Sequence, residues 1–186
     1  MTALQQAFAR AGVAPRREPV SPWNPSRRAT ARVKDPLPAP TSCPHCGAVV
    51  GIVNNKAIYG RPYGEWPWAY MCIDARCRSY VGMHPFTSIP LGTLADEATR
   101  AARKQAKALF MPLYESGHMT RTEAYAWLAG RLGIALEKCH FGWFSAADCA
   151  CVEWIINNKP AYDAIAQKHA SHAGENTAAK FTNTGN

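Results

Sequence analysis

Cys43-Pro44-His45-Cys46-Gly47 and, 25 residues further on, Cys72-Ile73-Asp74-Ala75-Arg76-Cys77 are the stretches on which the reading of this chain turns. Zinc takes four ligands in a tetrahedron and is satisfied by thiolates at about 2.3 Å when two ligand-bearing turns face each other. In the first turn Pro44 stiffens the backbone, and Gly47 permits the geometry that lets amide N–H groups point at sulfur. That is a rubredoxin-like knuckle. The second pair has a four-residue gap, which Ile73 to Arg76 fill as a longer loop. The expected metal ligands are therefore Cys43, Cys46, Cys72 and Cys77, holding one structural zinc ion. His45 and His84 are the residues that could replace a thiolate in a Cys3His set, and two metal-free cysteine pairs are the plainer alternative. Four thiolates close the coordination shell, whereas a catalytic zinc keeps an open position, so the site reads as one that holds a fold together.

Outward from the cysteines the chain is strand-like. Ala48 to Val53, a turn at Asn54-Asn55 and a return over Lys56 to Tyr59 predict a hairpin. After the break at Gly60 to Gly64, Trp68 to Cys72 and Ser79 to Met83 supply two more short strands rich in aromatic and β-branched residues. Beyond Pro90 the pattern turns helical. Thr93 with Asp96, Thr120 with Glu123 and Ser145 with Asp148 are capping-box-like starts. They predict helices to about Phe110, to Gly133 and to about Asn158. Before the cysteines, Pro15, Pro19, Pro22, Pro25, Pro36, Pro38 and Pro40 lie among arginines with little that could form an apolar face, which predicts an extended or disordered arm. Tyr162 to His169 suits a short helix, and Ser171 to Asn186 a disordered tail.

The expected fold is thus α+β, a small antiparallel zinc ribbon followed by a three-helix region, with disordered tails at both ends. Its expected parts are a basic arm at 1–41, the ribbon at 42–92, helices packed on it at 93–159 and a tail at 160–186.

Of the 186 residues, 47% are hydrophobic, enough for a packed core. No apolar run of membrane-spanning length and no secretory signal is visible, which predicts a protein of the cytoplasm with no membrane partner. Residues 1 to 17 contain arginine and no acid, and read as a frayed helix around Leu4 and Phe8. The seven cysteines include two close pairs beside aromatic residues, which fits a reducing compartment and a metal better than disulfides. The formal charge of +8 is uneven: residues 1–42 carry seven basic and two acidic side chains, and residues 133–186 four basic and five acidic. That imbalance favours an anionic partner.

Taken with the cysteine pairs, Ile58-Tyr59-Gly60-Arg61, Tyr63-Gly64, Ile89-Pro90-Leu91-Gly92-Thr93-Leu94-Ala95, Met119-Thr120-Arg121, Glu123-Ala124-Tyr125, Trp127-Leu128-Ala129, Leu132-Gly133-Ile134, Cys139-His140 and Gly142 give the chain a resemblance. Over about residues 43–158 it resembles the uncharacterised zinc-finger-containing proteins encoded mainly by bacteriophages and prophages. The resemblance implies a zinc finger and a phage context, hence the cytoplasm of a host bacterium. It implies no reaction.

Two sets of basic residues suggest a nucleic-acid surface. Arg100, Arg103, Lys104 and Lys107 recur at helical spacing, and Arg61, Arg76 and Arg78 are interleaved with Tyr63, Trp66, Trp68 and Tyr80. A solvated helix face and a ribbon core filled by aromatics are the simpler alternative. Tyr125 to Ile134 resembles the first helix and turn of a helix-turn-helix, which would need a recognition helix within Ala135 to Trp143. Cys139, His140, Cys149 and Cys151 form a candidate second metal site, against which stands the two-residue spacing of Cys149 and Cys151 on a helix. No nucleophile with a base, no paired acids and no phosphate loop stands out, so the reading leans away from an enzyme. It favours an accessory protein that binds nucleic acid, with a modulator of host transcription or defence machinery as the alternative.

Overall fold

The computed structural model describes Thr2, Ala3, Gln6, residues 18–117 and residues 119–159. The helix around Leu4 and Phe8, the one expected at Tyr162 to His169 and the tail from Ser171 lie outside these residues. The class is α+β, and the chain divides into two compact units, Met1–Asp96 and Glu97–Asn186.

The first unit is built on a three-stranded antiparallel sheet in the order β1 (Val50–Asn54), β2 (Trp68–Cys72), β3 (Tyr80–Gly82). Val50 lies opposite Cys72, Asn54 opposite Trp68 and Tyr70 opposite Val81. Strand alternation then sends Val50, Ile52, Tyr70, Cys72 and Val81 to one face, where they form a core with Cys43, Met83 and Leu94. The partner of β1 is β2, not the Lys56 to Tyr59 segment expected to return as a hairpin. That segment is a helical turn, because Asn54 Oδ1 accepts the Lys56 amide at 2.9 Å and the Asn55 carbonyl accepts the amides of Ile58 and Tyr59. Gly60, at φ 76°, closes the turn. The side chain of Asn55 then spans the loop, donating to the Tyr63 carbonyl at 2.8 Å and accepting from the Tyr63 amide at 3.0 Å.

The arm expected to be extended or disordered is ordered from Glu18 onward. Ser21 and Asn24 pair with each other, and Ser26 caps a helical turn, α1 (Arg27–Thr30); the Lys56–Tyr59 turn becomes α2. Pro22 is buried, Trp23 meets the Trp68 ring edge-on at 5.2 Å, and the Ser26 amide donates to the Phe86 carbonyl at 2.9 Å. A proline-rich composition predicts poor burial on average, yet one proline and one tryptophan are enough to anchor the segment to a sheet. Its cations stay outward: Arg27, Arg28, Arg32 and Lys34 are all exposed.

The second unit consists of α3 (Glu97–Phe110), a short α4 (Pro112–Glu115), α5 (Arg121–Leu132), a 3₁₀ turn (Leu136–Lys138) and α6 (Ala146–Asn157). Helix α3 starts at Glu97, later than Thr93. The reason is that Leu94 and Ala95 are buried in the ribbon unit, with Ala95 bridged to Tyr80. Pro112 does not merely end α3; it opens α4 as its first residue, where a missing N–H costs nothing. Both later caps form complete capping boxes, Thr120 with Glu123 and Ser145 with Asp148. Phe110 is fully buried at the centre, with the rings of Tyr125 at 4.8 Å and Phe141 at 5.3 Å. Ala106, Leu128, Cys149 and Val152 complete this core. No described helix is long and apolar enough to cross a membrane.

Candidate metal centre

The two knuckles are built alike. In the first, the Cys43 amide donates to the Ala48 carbonyl at 2.8 Å, the Gly47 amide returns to the Cys43 carbonyl at 2.8 Å, and Gly47 turns the chain at φ 75°. In the second, the Cys72 amide donates to the Ser79 carbonyl at 2.9 Å, and the Arg78 amide donates to Asp74 at 3.0 Å. Asp74 organises the wider gap, its carboxylate accepting the Arg76 amide at 2.8 Å. Arg78, directly after Cys77, takes the left-handed backbone that glycine takes after Cys46, at φ 45°. A side chain there is tolerated at a cost, and the Arg78 guanidinium offsets some of it by donating to the Ala57 carbonyl at 2.9 Å.

These turns bring the four sulfurs together. Cys46 Sγ lies 3.4 Å from Cys72 Sγ, Cys43 Sγ lies 3.6 Å from Cys77 Sγ, and all four fall within 4.8 Å of one another. A tetrahedron with metal–sulfur bonds of about 2.3 Å has edges of about 3.8 Å, so the cluster has the size that zinc requires. The separations are far beyond a disulfide bond of about 2.05 Å, and all four cysteines are free thiols. Backbone amides already point at the sulfurs, the His45 amide reaching Cys43 Sγ at 3.4 Å. The buried Ser79 hydroxyl lies 3.0 Å from Cys43 Sγ and 3.4 Å from Cys77 Sγ.

The protonation chemistry points the same way. Burial pushes the Cys43 thiol up, but hydrogen bonds from Ser79, from the His45 and Cys46 amides and from Cys77 outweigh it and bring the group down to about 6. The Ala48 amide favours the Cys46 thiolate, yet its sulfur neighbours, Cys72 first, push it up to about 12. Burial also raises Cys72. One sulfur of the cluster is therefore ready to ionise and its neighbours then resist, because like charges this close repel. A divalent cation at the centre removes that conflict, and the donor set fits zinc. When bound, the ion ties the two knuckles together through a closed shell of four thiolates.

Neither histidine weighed as a substitute belongs to the cluster. The His45 ring lies 3.3 Å from the Leu94 carbonyl and 3.7 Å from the Asp96 carboxylate instead of pointing freely to solvent. His84 is half-buried and burial lowers its pKa. Among the described residues no other group of three or more cysteine, histidine or acidic side chains comes together. Of the cysteines considered for a second site, Cys139 and Cys149 are buried in the helical core, with thiols pushed up by burial, while Cys151 is exposed.

The basic residues divide between the units. Arg61, Arg76 and Arg78 are exposed on the ribbon unit. On α3, Lys104 and Lys107 are exposed, but Arg103 is half-buried and its Nε donates to the Phe144 carbonyl at 2.7 Å. It belongs to the side of α3 that carries Thr99, Ala106 and Phe110, so the expected face of four cations does not exist as one outward surface. The helix-turn-helix reading also falls. Gly133 caps α5 in the left-handed conformation, and Ala135 to Trp143 contains only the 3₁₀ turn before an irregular stretch, so no recognition helix follows.

Sequence reasoning missed Ser79 and Asp74, of which only the short spacing to Cys77 and Cys72 was a hint. It named Tyr63, Trp66, Trp68 and Tyr80 among the ribbon arginines, and the structure brings these four rings together in one cleft beside the sheet. That cleft, of about 360 Å³, is lined by Tyr59, Tyr63, Trp66, Trp68 and Tyr80 among others.

No curated protein and no solved structure matches this chain. A family model described as a zinc-finger-containing domain matches residues 39–176, a span that holds all four clustered cysteines. The chain belongs to that family of zinc-finger-containing domains, and its cluster of four cysteines, which could hold a metal ion, lies within the matched residues.

Proposed function

We propose that this protein is a zinc-stabilised module that binds nucleic acid, with the ribbon unit carrying the contact surface. The observation that supports this most is the distribution of charge. Residues 1–96 hold eleven basic and five acidic side chains, and residues 97–186 hold ten and eight, so +6 of the net +8 belongs to the ribbon unit. The basic residues there are outward: Lys56, Arg61, Arg76 and Arg78 are exposed, as are Arg27, Arg28, Arg32 and Lys34 of the ordered arm. A rigid module presenting cations on several loops gathers phosphates at low cost in ordering entropy. Lys104 and Lys107 are secondary contributors. The phage or prophage setting that the resemblance implies belongs to the same proposal.

The test is binding of the zinc-loaded protein to DNA and RNA across a salt series. Replacing Arg61, Arg76 and Arg78 by glutamine weakens binding to all sequences and flattens the salt dependence by about one unit of slope per lost phosphate contact. Absence of binding at low salt, where the electrostatic term is largest, overturns the proposal. A second reading then takes over, a protein-binding modulator of a host machine, for which there is a specific surface. Val49 and Ile73 are 61% and 66% exposed beside the two knuckles and are joined by the Ile73 amide donating to the Val49 carbonyl. Exposed aliphatic side chains on rigid loop tips suit protein docking.

A further inference from the structure

The cleft of the ribbon unit has a small floor and aromatic walls. Ala69 on β2 and Gly82 on β3 lie opposite each other in the sheet and line it. A Cβ at Gly82 would stand 3.2 Å from the Leu91 side chain, so the glycine keeps the floor low. Tyr59, Tyr63 and Tyr80 form one wall, with ring centres 6.2 Å apart for Tyr59 and Tyr63 and 6.1 Å apart for Tyr59 and Tyr80, both edge-on. Tyr59 is 53% and Tyr63 is 70% exposed, although rings of this size normally bury most of their area. Trp66 and Trp68 line the same space, and the Trp66 Nε1 proton is committed to the Thr87 carbonyl at 3.1 Å, which fixes that ring.

The loop that carries Tyr63 is pinned at its backbone, where the Asn55 side-chain amide donates to the Tyr63 carbonyl and accepts from the Tyr63 N–H. The aromatic wall is therefore presented by backbone bonds and not by side-chain burial. Cations bracket it. Lys56 and Arg61 are exposed on either side of Tyr59 in sequence, and Arg78 is tethered to Ala57 in the same turn. Glu65 is the one carboxylate in the lining.

Flat rings exposed beside exposed cations complement a ligand that offers a flat face and a negative charge in the same unit, which is the chemistry of a nucleotide. We infer that the Tyr59, Tyr63 and Tyr80 cleft is a base-stacking subsite for single-stranded nucleic acid, with Lys56, Arg61 and Arg78 contacting the flanking phosphates. A duplex does not satisfy it, because paired bases expose edges in the grooves while their faces are stacked on one another. This inference rests on the nucleic-acid reading above and names its substrate class and its site.

The experiment uses the full-length, zinc-loaded protein and four probes: a deoxythymidine oligonucleotide, an abasic strand of the same length, a duplex of the same length and free thymidine monophosphate. The oligonucleotide binds about tenfold more tightly than the abasic strand. Tyr63→Ala loses about that factor for the oligonucleotide and leaves abasic binding unchanged, while Tyr63→Trp restores it. Tyr59→Ala behaves as Tyr63→Ala does. Zinc content equal to wild type verifies that each variant is folded. Equal affinity for the oligonucleotide and the abasic strand overturns the stacking subsite but leaves phosphate binding standing. Duplex binding as tight as single-strand binding, or monophosphate binding as tight as the strand, overturns the choice of ligand. Absence of binding to every probe at low salt overturns the nucleic-acid reading itself.

Discussion

The ribbon unit and the helical unit solve the problem of a small core in opposite ways. The helical unit buries Phe110, Leu128, Phe141, Phe144, Val152 and two free cysteines, and α5 and α6 each start in a capping box of their own. Its stability is distributed over many apolar contacts. The ribbon unit has three strands, the shortest of three residues, and its core cluster includes two of the four clustered cysteines. There a cluster of four cysteines that could hold a metal ion stands where three short strands cannot supply a large apolar area. Where stability is concentrated in one centre, surface is freed for contact, and exposed Tyr59 and Tyr63 lie on that unit together with the exposed Lys56, Arg61, Arg76 and Arg78.

The largest effect that separates the two solutions is loss of the centre. Cys72→Ser removes a ligand from a site whose binding free energy is about 10–16 kcal/mol in zinc-finger peptides, and the ribbon's cooperative transition disappears with the metal. Phe110→Ala, by contrast, leaves zinc content unchanged and costs the helical unit about 3–5 kcal/mol, because a fully buried ring is replaced by a cavity. Metal analysis alongside thermal unfolding of both variants checks the pair. If Phe110→Ala released the metal, the division would be wrong.

A smaller effect sharpens the ribbon side. Removing residues 1–40 takes away the Trp23 ring on Trp68, buried Pro22 and the Ser26 to Phe86 hydrogen bond, and lowers the ribbon's unfolding free energy by about 2 kcal/mol. An unchanged denaturation midpoint in the truncated protein would mean that the arm lies on the sheet without stabilising it.

The smallest effect belongs to a helix end. Thr120→Ala opens one capping box and costs about 1 kcal/mol. The same box gives a pH signature. The backbone amide and hydroxyl of Thr120 donate to the Glu123 carboxylate and hold its pKa below the usual carboxylate range. Its folded pKa thus lies below the unfolded one, so the stabilisation is complete above the unfolded value, about 4.3, and is lost as pH falls through the folded value. Acid titration of unfolding with and without Thr120→Ala checks this, since the variant loses that part of the acid dependence.

What was legible in the sequence was local. The four-cysteine cluster followed from two cysteine pairs and their turn residues, and the caps at Thr120 and Ser145 from acids three positions on. What was not legible depended on partners distant in sequence. Lys56 to Tyr59 has strand-like residues, but β1 takes β2 as its partner, and the Asn54 side chain and Asn55 carbonyl hold the segment as a helical turn. The arm has the composition of a disordered segment, but Trp23 finds Trp68. Arg103 has the spacing of an outward cation, but the Phe144 carbonyl, 41 residues away, draws it inward. Tyr63, Trp66, Trp68 and Tyr80 were legible as aromatics among arginines, but not Tyr59 or the cleft they share, because its wall joins a loop, a helical turn and a strand whose pairing no short pattern encodes.

The central claim is that Cys43, Cys46, Cys72 and Cys77 form one closed thiolate shell, and cobalt substitution tests it most directly. Protein purified under reducing conditions and reconstituted with Co²⁺ should take up about one ion per chain. It should give the intense visible absorption of tetrahedral cobalt together with sulfur-to-cobalt charge transfer, and zinc should displace the cobalt completely. A folded, reduced protein that binds neither ion, or a cobalt spectrum of octahedral oxygen ligands, would contradict the account.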